Sequence, residues 1–316
     1  MIKSFLHRLV EHWPWLLLLG LAGLTLAPLL GDYSRKLDFV GQFLIQSTAL
    51  TVIALVLMLL LRHALPAIGV GLCLALQLAI LQPSLLQARA SADARGRIEV
   101  VFSNVWTQNR RLGDLAERLR EIHPDVLVLT EIRGDSAVAF AHSLADAYPY
   151  RADCETNWWC DTVVLSRLPI LEDRSSDTRP PIIGMAAARV QTDFGPITIA
   201  GTHLAQPLPP RRQWVQEQQT EALATMIEGV TDPLLFVGDF NSVPWGRLIR
   251  AFTATTGLDV APGLEGTWPA ILPWPLRLPI DQAFTGRGLQ LLSREVITLP
   301  GADHKALRLE VGPTGS

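Results

Sequence analysis

Charge is what the first part of this sequence lacks. Val40 to Leu61 contains no charged residue. Trp13 to Leu30 contains none either and is interrupted only by Pro14, Thr25, Pro28 and two glycines. Pro66 to Gln82 is a third such run, with Gln77 inside it. Runs without ionisable groups in their cores offer no evident ion path, which weighs against a transporter unit. Cysteine is scarce, three in 316 residues. Cys154 and Cys160 have no further Cys or His beside them, so they do not suit a zinc site. An excess of cations is also missing: 27 Lys and Arg stand against 30 Asp and Glu, a net charge of −3. Residues 1–91 hold six basic and three acidic residues, net +3, which leaves −6 for residues 92–316. An acidic domain argues against tight general nucleic-acid binding, which rests on Lys and Arg neutralising phosphates. It leaves room for an enzyme that touches a few phosphates. There is no internal repeat and no low-complexity tract. The length fits one large domain plus an appendage.

A helix of ~20 apolar residues crosses a bilayer. The runs at 13–30 and 40–61 meet that length. The run at 66–82 reads as a third span or as a buried or interfacial helix. Residues 1–90 are thus expected to form a membrane anchor of about three transmembrane helices. A cleaved signal peptide explains this poorly, because the runs are too many and the small residues Ala88-Arg-Ala90 come too late. Trp13 and Trp15 fit an aromatic belt at the first boundary. Lys3, Arg8 and Arg62 lie on one side of the spans, Arg35 and Lys36 on the other, a weak bias toward a cytoplasmic N-terminus. Three spans then put the C-terminal domain outside the cytoplasm. A Cys154–Cys160 disulfide needs an oxidising compartment and agrees with that side. The other reading is two free thiols in a cytoplasmic protein. The small, polar segment Ser91–Arg97 reads as the linker, and 98–312 as the large domain. No obligatory protein partner is evident, and the lipid bilayer is the expected surrounding.

In the large domain, β-branched and aromatic content marks strands at Ile98–Asn104, Asp125–Glu131 and Thr162–Arg167. Helical spacing of apolar residues marks 111–122, 136–147, 211–229 and 248–256. The segments 187–191 and 196–202 flank Asp193-Phe-Gly195, a hairpin turn, and the second ends at His203. Leu234–Val237 is a buried strand that stops at Gly238. Further strands begin at Ile280 and run over Ala306–Val311. Strand–helix–strand units mixed with a hairpin predict an α/β sandwich with mixed sheets.

The polar residues recur at one kind of position. Asn104, Glu131, His203, Asp239, Asn241, Asp281, Asp303 and His304 all sit at strand ends or just beyond. Asp239 and Asn241 alone read equally well as an Asp/Asn turn after a strand. Eight residues in similar positions point to a site.

These residues fall in motifs: Phe102-Ser-Asn104, Leu129-Thr-Glu131, Gly201-Thr-His203, Gly238-Asp-Phe-Asn241, Ile280-Asp281 and Ala302-Asp-His304. In kind and order the set resembles the endonuclease/exonuclease/phosphatase (DNase I-like) superfamily, closest to its bacterial membrane-anchored, YafD-like type. The first ninety residues lie outside the resemblance. It implies a four-layer α/β sandwich with two central mixed β-sheets, and a metal-dependent phosphoester hydrolase. It implies Asn104, Glu131 and Asp303 as ligands of Mg²⁺ or Mn²⁺, and His203, Asp239, Asn241, Asp281 and His304 as catalytic. His203 would contact a phosphate oxygen, and Asp281 would orient His304. Thr130 and Ala302 stand where the family often has Gln and Ser, which touches subfamily more than chemistry. The implied location is a bacterial inner membrane with the domain on the periplasmic side.

The chemistry asks for these residue types. A phosphodiester repels an anionic nucleophile, and an oxygen-ligated divalent cation neutralises it. Water needs a base, and Asp239 or His304 can serve. Asn241 and His203 can donate to developing charge. The substrate stays open between nucleic acid and a lipid or small phosphoester, and a non-catalytic membrane scaffold is the reading of another class. Trp268 and Trp274 lie in a Pro-rich loop before Asp281, and Trp158 and Trp159 lie between the cysteines. Such tryptophans can stack bases, enter a membrane interface or pack as a covered loop.

Overall fold

The computed structural model describes residues 2–85, 96–154, 160–176, 184–208 and 211–315. Residues 91–95 of the expected linker, and Trp158 and Trp159, lie outside the described residues. The chain divides into two compact units, Met1–Leu85 with Trp245–Arg247, and Leu86–Pro244 with Leu248–Ser316.

The first unit is helical: α1 Ile2–Leu26, α2 Arg35–Gly41, α3 Leu44–Leu60 and α4 Ala64–Leu85. By length and composition α4 can cross a membrane, and α2 with α3, bent by 63° at their junction, can act as one broken span. The expected span at 13–30 differs. Its helix stops at Leu26, and the apolar part, His12–Leu26, is shorter than a full crossing. Leu21, Ala54, Met58, Ala67 and Val70 pack together. Gln77 is buried, and its Nε2 donates to Thr25 Oγ1 at 2.9 Å, a polar contact between helices in an apolar bundle.

Among the described residues, the second unit carries twelve strands in two six-stranded sheets. The first sheet contains β1 Ile98–Asn104, β2 Val126–Thr130, β3 Tyr150–Asp153, β4 Val163–Ser166, β11 Leu289–Ile297 and β12 Ala306–Pro313, in the order β11-β12-β1-β2-β4-β3. The second contains β5 Ile170–Asp173, β6 Ala186–Thr192, β7 Gly195–His203, β8 Leu234–Asp239, β9 Asp259–Val260 and β10 Asp281–Gly286, in the order β5-β6-β7-β8-β10-β9. Only β1–β2 and β7–β8 run parallel; the other neighbours are antiparallel.

Strand alternation sorts the side chains into layers. Val100, Phe102, Val126 and Val128 of one sheet meet Ile197, Ile199, Leu235 and Val237 of the other. Their neighbours Val101, Leu127 and Leu129 point the opposite way, onto α5 Leu112–Ile122 and α6 Gly134–Ser143. Ala200, Leu234 and Phe236 point onto α7 Arg211–Glu228 and α8 Arg247–Thr256. Helix, sheet, sheet, helix is the four-layer α/β sandwich expected. The sheets approach closely at Gly201, where an added Cβ would meet Val128 Cγ1 at 2.3 Å.

Four strands were not apparent from the sequence pattern: β3, β5, β9 and β11. They are the edge strands of the two sheets. β3 and β5 are short and carry charges, and β5 and β11 each break register at a bulge. These are the devices by which edges avoid pairing with other chains, and they erase the alternation that marks a strand.

Phe236, Phe240, Phe252 and Phe284 form one aromatic cluster behind β8, with ring centroids 5.0 to 6.2 Å apart. Phe236 is fully buried at its centre. Phe236→Ala is expected to destabilise the full chain by ~3–5 kcal/mol. Denaturant unfolding in detergent checks this, and a loss below about 1 kcal/mol would mean the cluster does not hold β8.

Candidate active site

Topology brings the strand-end residues to one edge of the sandwich. In each sheet the ends of two parallel strands lie beside the starts of their antiparallel neighbours. In the second sheet His203 pairs in register with Asp239, and Asp239 with Asp281, so three side chains form a row across β7, β8 and β10. In the first sheet Asn104 pairs with Thr130, Glu131 follows, and Asp303 and His304 precede β12.

Asp239 Oδ2 is the meeting point. It lies 3.2 Å from Asn104 Nδ2, which donates to it. It lies 3.6 Å from His203 Nε2 and 3.7 Å from His304 Nε2. Asp239 Oδ1 accepts from the backbone N–H of Asn241 at 2.9 Å. Asn241 in turn donates from Nδ2 to Leu204 O at 3.0 Å, which ties the loop after β8 to the loop after β7. Gly238 lets β8 lie close beside β7, because an added Cβ there would meet Thr202 O at 2.5 Å.

Each histidine has a carboxylate behind it. His304 Nδ1 is 2.9 Å from Asp281 Oδ2, and His203 Nδ1 is 3.2 Å from Asp161 Oδ2. Asp161 also pairs with Arg133 Nε at 2.8 Å. Burial works against a charge on His203, but the Asp161 carboxylate overrides it, with help from Asp239 and Glu131, and the pKa rises to about 9. Burial opposes charge on His304 as well, yet Asp281 and Asp239 raise its pKa to about 10. Burial, then the facing Asp281, pushes Asp239 up to about 6. The surrounding carboxylates therefore favour the charged, doubly protonated form of both imidazoles, while burial and Asp281 work against the charge on Asp239.

Glu131 sits at φ +62°, a left-handed turn that aims its carboxylate back toward Asn104. Its Oε1 accepts from Asn104 Nδ2 at 3.0 Å, and its Oε2 accepts from Thr107 N and Oγ1 at 2.7 and 2.8 Å. Burial raises its pKa, but these hydrogen bonds outweigh burial and hold it below the usual carboxylate value. Asn104 Oδ1 accepts from Trp106 N at 3.0 Å, so in this arrangement its amide nitrogen faces the carboxylates. Burial raises the pKa of Asp303.

The donor set fits a hard divalent cation. The buried oxygens Asp281 Oδ1 and Asp303 Oδ1 have no hydrogen-bond partner. Asp239, Asp281 and His304 each offer a ligand atom within 4.8 Å of the others. Glu131 and Asp303 interact electrostatically across the same edge.

All eight strand-end residues are thus brought to this edge. Asp161, Thr107 and Arg133 were not singled out from the sequence. Asp161 carries the same signal as the others, since it stands just before β4 where β2 ends. Cys154 and Cys160 are joined, with Cα atoms 5.5 Å apart, one residue before Asp161. Cys73 is a free thiol in α4.

No curated protein matches the chain in sequence. Solved structures match its fold. An endonuclease/exonuclease/phosphatase from Beutenbergia cavernae DSM 12333 has a TM-score of 0.55 at 20% identity, covering 70% of this chain and 72% of its own. TDP2 of D. rerio in complex with a single-strand DNA product has a TM-score of 0.54 at 18% identity, covering 69% and 99%. The human Nocturnin catalytic domain with bound sulfate has 0.53 at 17%, covering 73% and 99%. Identities this low speak for the fold alone. The profile of the Endonuclease/Exonuclease/phosphatase family matches residues 101–306, well over half the chain, and the chain belongs to that family.

Proposed function

We propose that this protein is a divalent-metal-dependent phosphodiesterase held at a membrane by its N-terminal helices. The observation that carries this reading is the convergence of Asn104 and two carboxylate-backed histidines on one oxygen of Asp239. A structural turn has no use for a carboxylate, an amide and two histidines gathered at one point, because taking such groups out of water is costly. A scaffold that had lost catalysis would not be expected to keep the whole set.

Glu131 and Asp303 would hold the cation, with Asn104 beside them, and the carboxylates of Asp239 and Asp281 stand next to them. A divalent cation held there, Mg²⁺ or Mn²⁺, would supply positive charge to offset the phosphodiester and the leaving oxygen. Asp239 is placed to take a proton from water. His203 and His304 donate to phosphate oxygens, and Asp281 and Asp161 fix their tautomers and keep them charged. Asn241 ties the two loops that carry Asp239 and His203. In the hydrolysis the water oxygen bonds to phosphorus, its proton passes to Asp239, and the leaving oxygen takes a proton from an imidazolium. This reading extends to a bacterial, YafD-like inner-membrane protein with its hydrolase domain outside the cytoplasm; the apolar α4 and the Cys154–Cys160 pair support it.

The test is turnover of bis(p-nitrophenyl) phosphate, DNA, RNA and phospholipids by the full chain with Mg²⁺ or Mn²⁺. Asp239→Asn and His304→Ala are each expected to lower turnover by ~10²–10⁴. EDTA is expected to abolish activity and added metal to restore it; turnover indifferent to EDTA would end the metal reading. Asp161→Asn probes the second histidine. Asp161 holds His203 charged up to about pH 9, so its loss lets the proton leave at lower pH. The alkaline limb of the kcat/KM profile is then expected to move down in pH, with a larger loss at pH 9 than at pH 6. An unmoved limb would show that the charge on His203 is not used.

A further inference from the structure

The loop that leads into Asp281 is exposed, apolar and pinned to the site. Residues 266–276 contain no charged side chain and include Trp268, Ile271, Leu272, Trp274 and Leu276. Ile271 is 91% exposed, Leu276 53%, Trp274 47%, Trp268 39% and Leu272 38%. Five large apolar side chains open to water within nine residues form a patch of the kind that marks an interaction surface. The loop is nevertheless ordered at its base. Trp268 and Leu278 exchange backbone hydrogen bonds of 3.1 and 2.6 Å. Ala270 N donates to Asp303 O at 2.7 Å, Lys305 N donates to Thr267 O at 2.9 Å, and the Trp268 ring centroid is 6.4 Å from that of His304. Whatever covers the tip is therefore held against the residues on either side of His304.

We propose that this loop is a lipid-binding surface that seats the mouth of the site in the headgroup layer of a bilayer, and that the diester hydrolysed is a lipid's. The substrate part rests on the phosphodiesterase reading; the surface does not. Three observations favour a bilayer over a nucleic-acid strand. The first is charge: the domain is acidic, and Arg277, the cation next to the tip in sequence, is 7% exposed and paired with Glu265 at 3.3 Å. A phosphate backbone would meet few cations here. The second is the backbone. Pro269, Pro273, Pro275 and Pro279 bring no N–H. Leu272, Leu276 and Arg277 donate theirs within the loop, to Pro269, Pro273 and Trp274. A loop with most of its donors absent or satisfied loses less on entering a water-poor phase. The third is that α4 is long and apolar enough to put this chain at a membrane. Leu208 and Trp214, each 50% exposed, follow the end of β7, on the other side of β8 from the loop. Tryptophan is the side chain that favours the interface.

The full chain, carrying Cys73→Ser and Ile271→Cys labelled with an environment-sensitive fluorophore, is reconstituted into phosphatidylethanolamine/phosphatidylcholine vesicles. The label is expected to be quenched by doxyl lipid and shielded several-fold from iodide. Free access of iodide, or shielding that needs added single-stranded oligonucleotide rather than lipid, overturns the proposal. In the variant Ile271→Ser/Trp274→Ser/Leu276→Ser, the ratio of vesicle-lipid turnover to bis(p-nitrophenyl) phosphate turnover is expected to fall at least about tenfold, the scale of one large apolar side chain left unburied. An unchanged ratio also overturns it. A label in water beside a working soluble-diester activity sinks this surface and leaves the phosphodiesterase standing. A label in lipid with no diester hydrolysed does the reverse.

Discussion

Two carboxylates face each other across neighbouring strands at one edge of the sandwich. Asp239 and Asp281 are register partners on β8 and β10, and both are buried. Like charges directly opposite on a sheet repel, and burial makes each charge costlier. The structure tolerates them because His304 holds on to Asp281 and approaches Asp239, and because His203 and Asn104 approach Asp239 from two further strands. The raised pKa values of both histidines are the other side of the same compensation. Most features of this edge, from the close strand contact at Gly238 to the aromatic cluster behind β8, serve to keep that charge group in place.

The same arrangement sets two kinds of group against each other. Imidazoles whose pKa is raised by neighbouring carboxylates stand beside buried carboxylate oxygens that have no hydrogen-bond partner. Asp161 and Arg133 extend the network one step outward from His203, so the two histidines are built alike although they come from different sheets. The apolar loop at 268–276 touches this network through Asp303 and His304, which links what the loop binds to what the site can reach.

The strand-end residues were legible in the sequence because strand interiors are apolar, so a polar side chain after a buried run stands out. Asn104, Glu131, His203, Asp239 and Asp281 each follow or begin such a run. Asp161 was harder to see, since the strand before it is a short charged edge and the residues around it include the cysteine pair. The edge strands were illegible for the same reason that they are safe edges: charge, shortness and bulges remove the period of two. In the N-terminal unit, hydropathy alone marked three apolar runs, while helix breaks at Leu26 and between Gly41 and Leu44 depend on local geometry that composition does not carry.

By itself the sequence marked an α/β sandwich with mixed sheets and the polar residues at its strand ends, because periodicity and residue type are local properties of the chain, and the order of its motifs marked the family. Tertiary structure alone decided which oxygen the groups share, which carboxylate stands behind each histidine, and that the tryptophan loop is open to water. Those depend on strand order and register, which join residues such as Asn104 and Asp239 across more than a hundred positions of sequence.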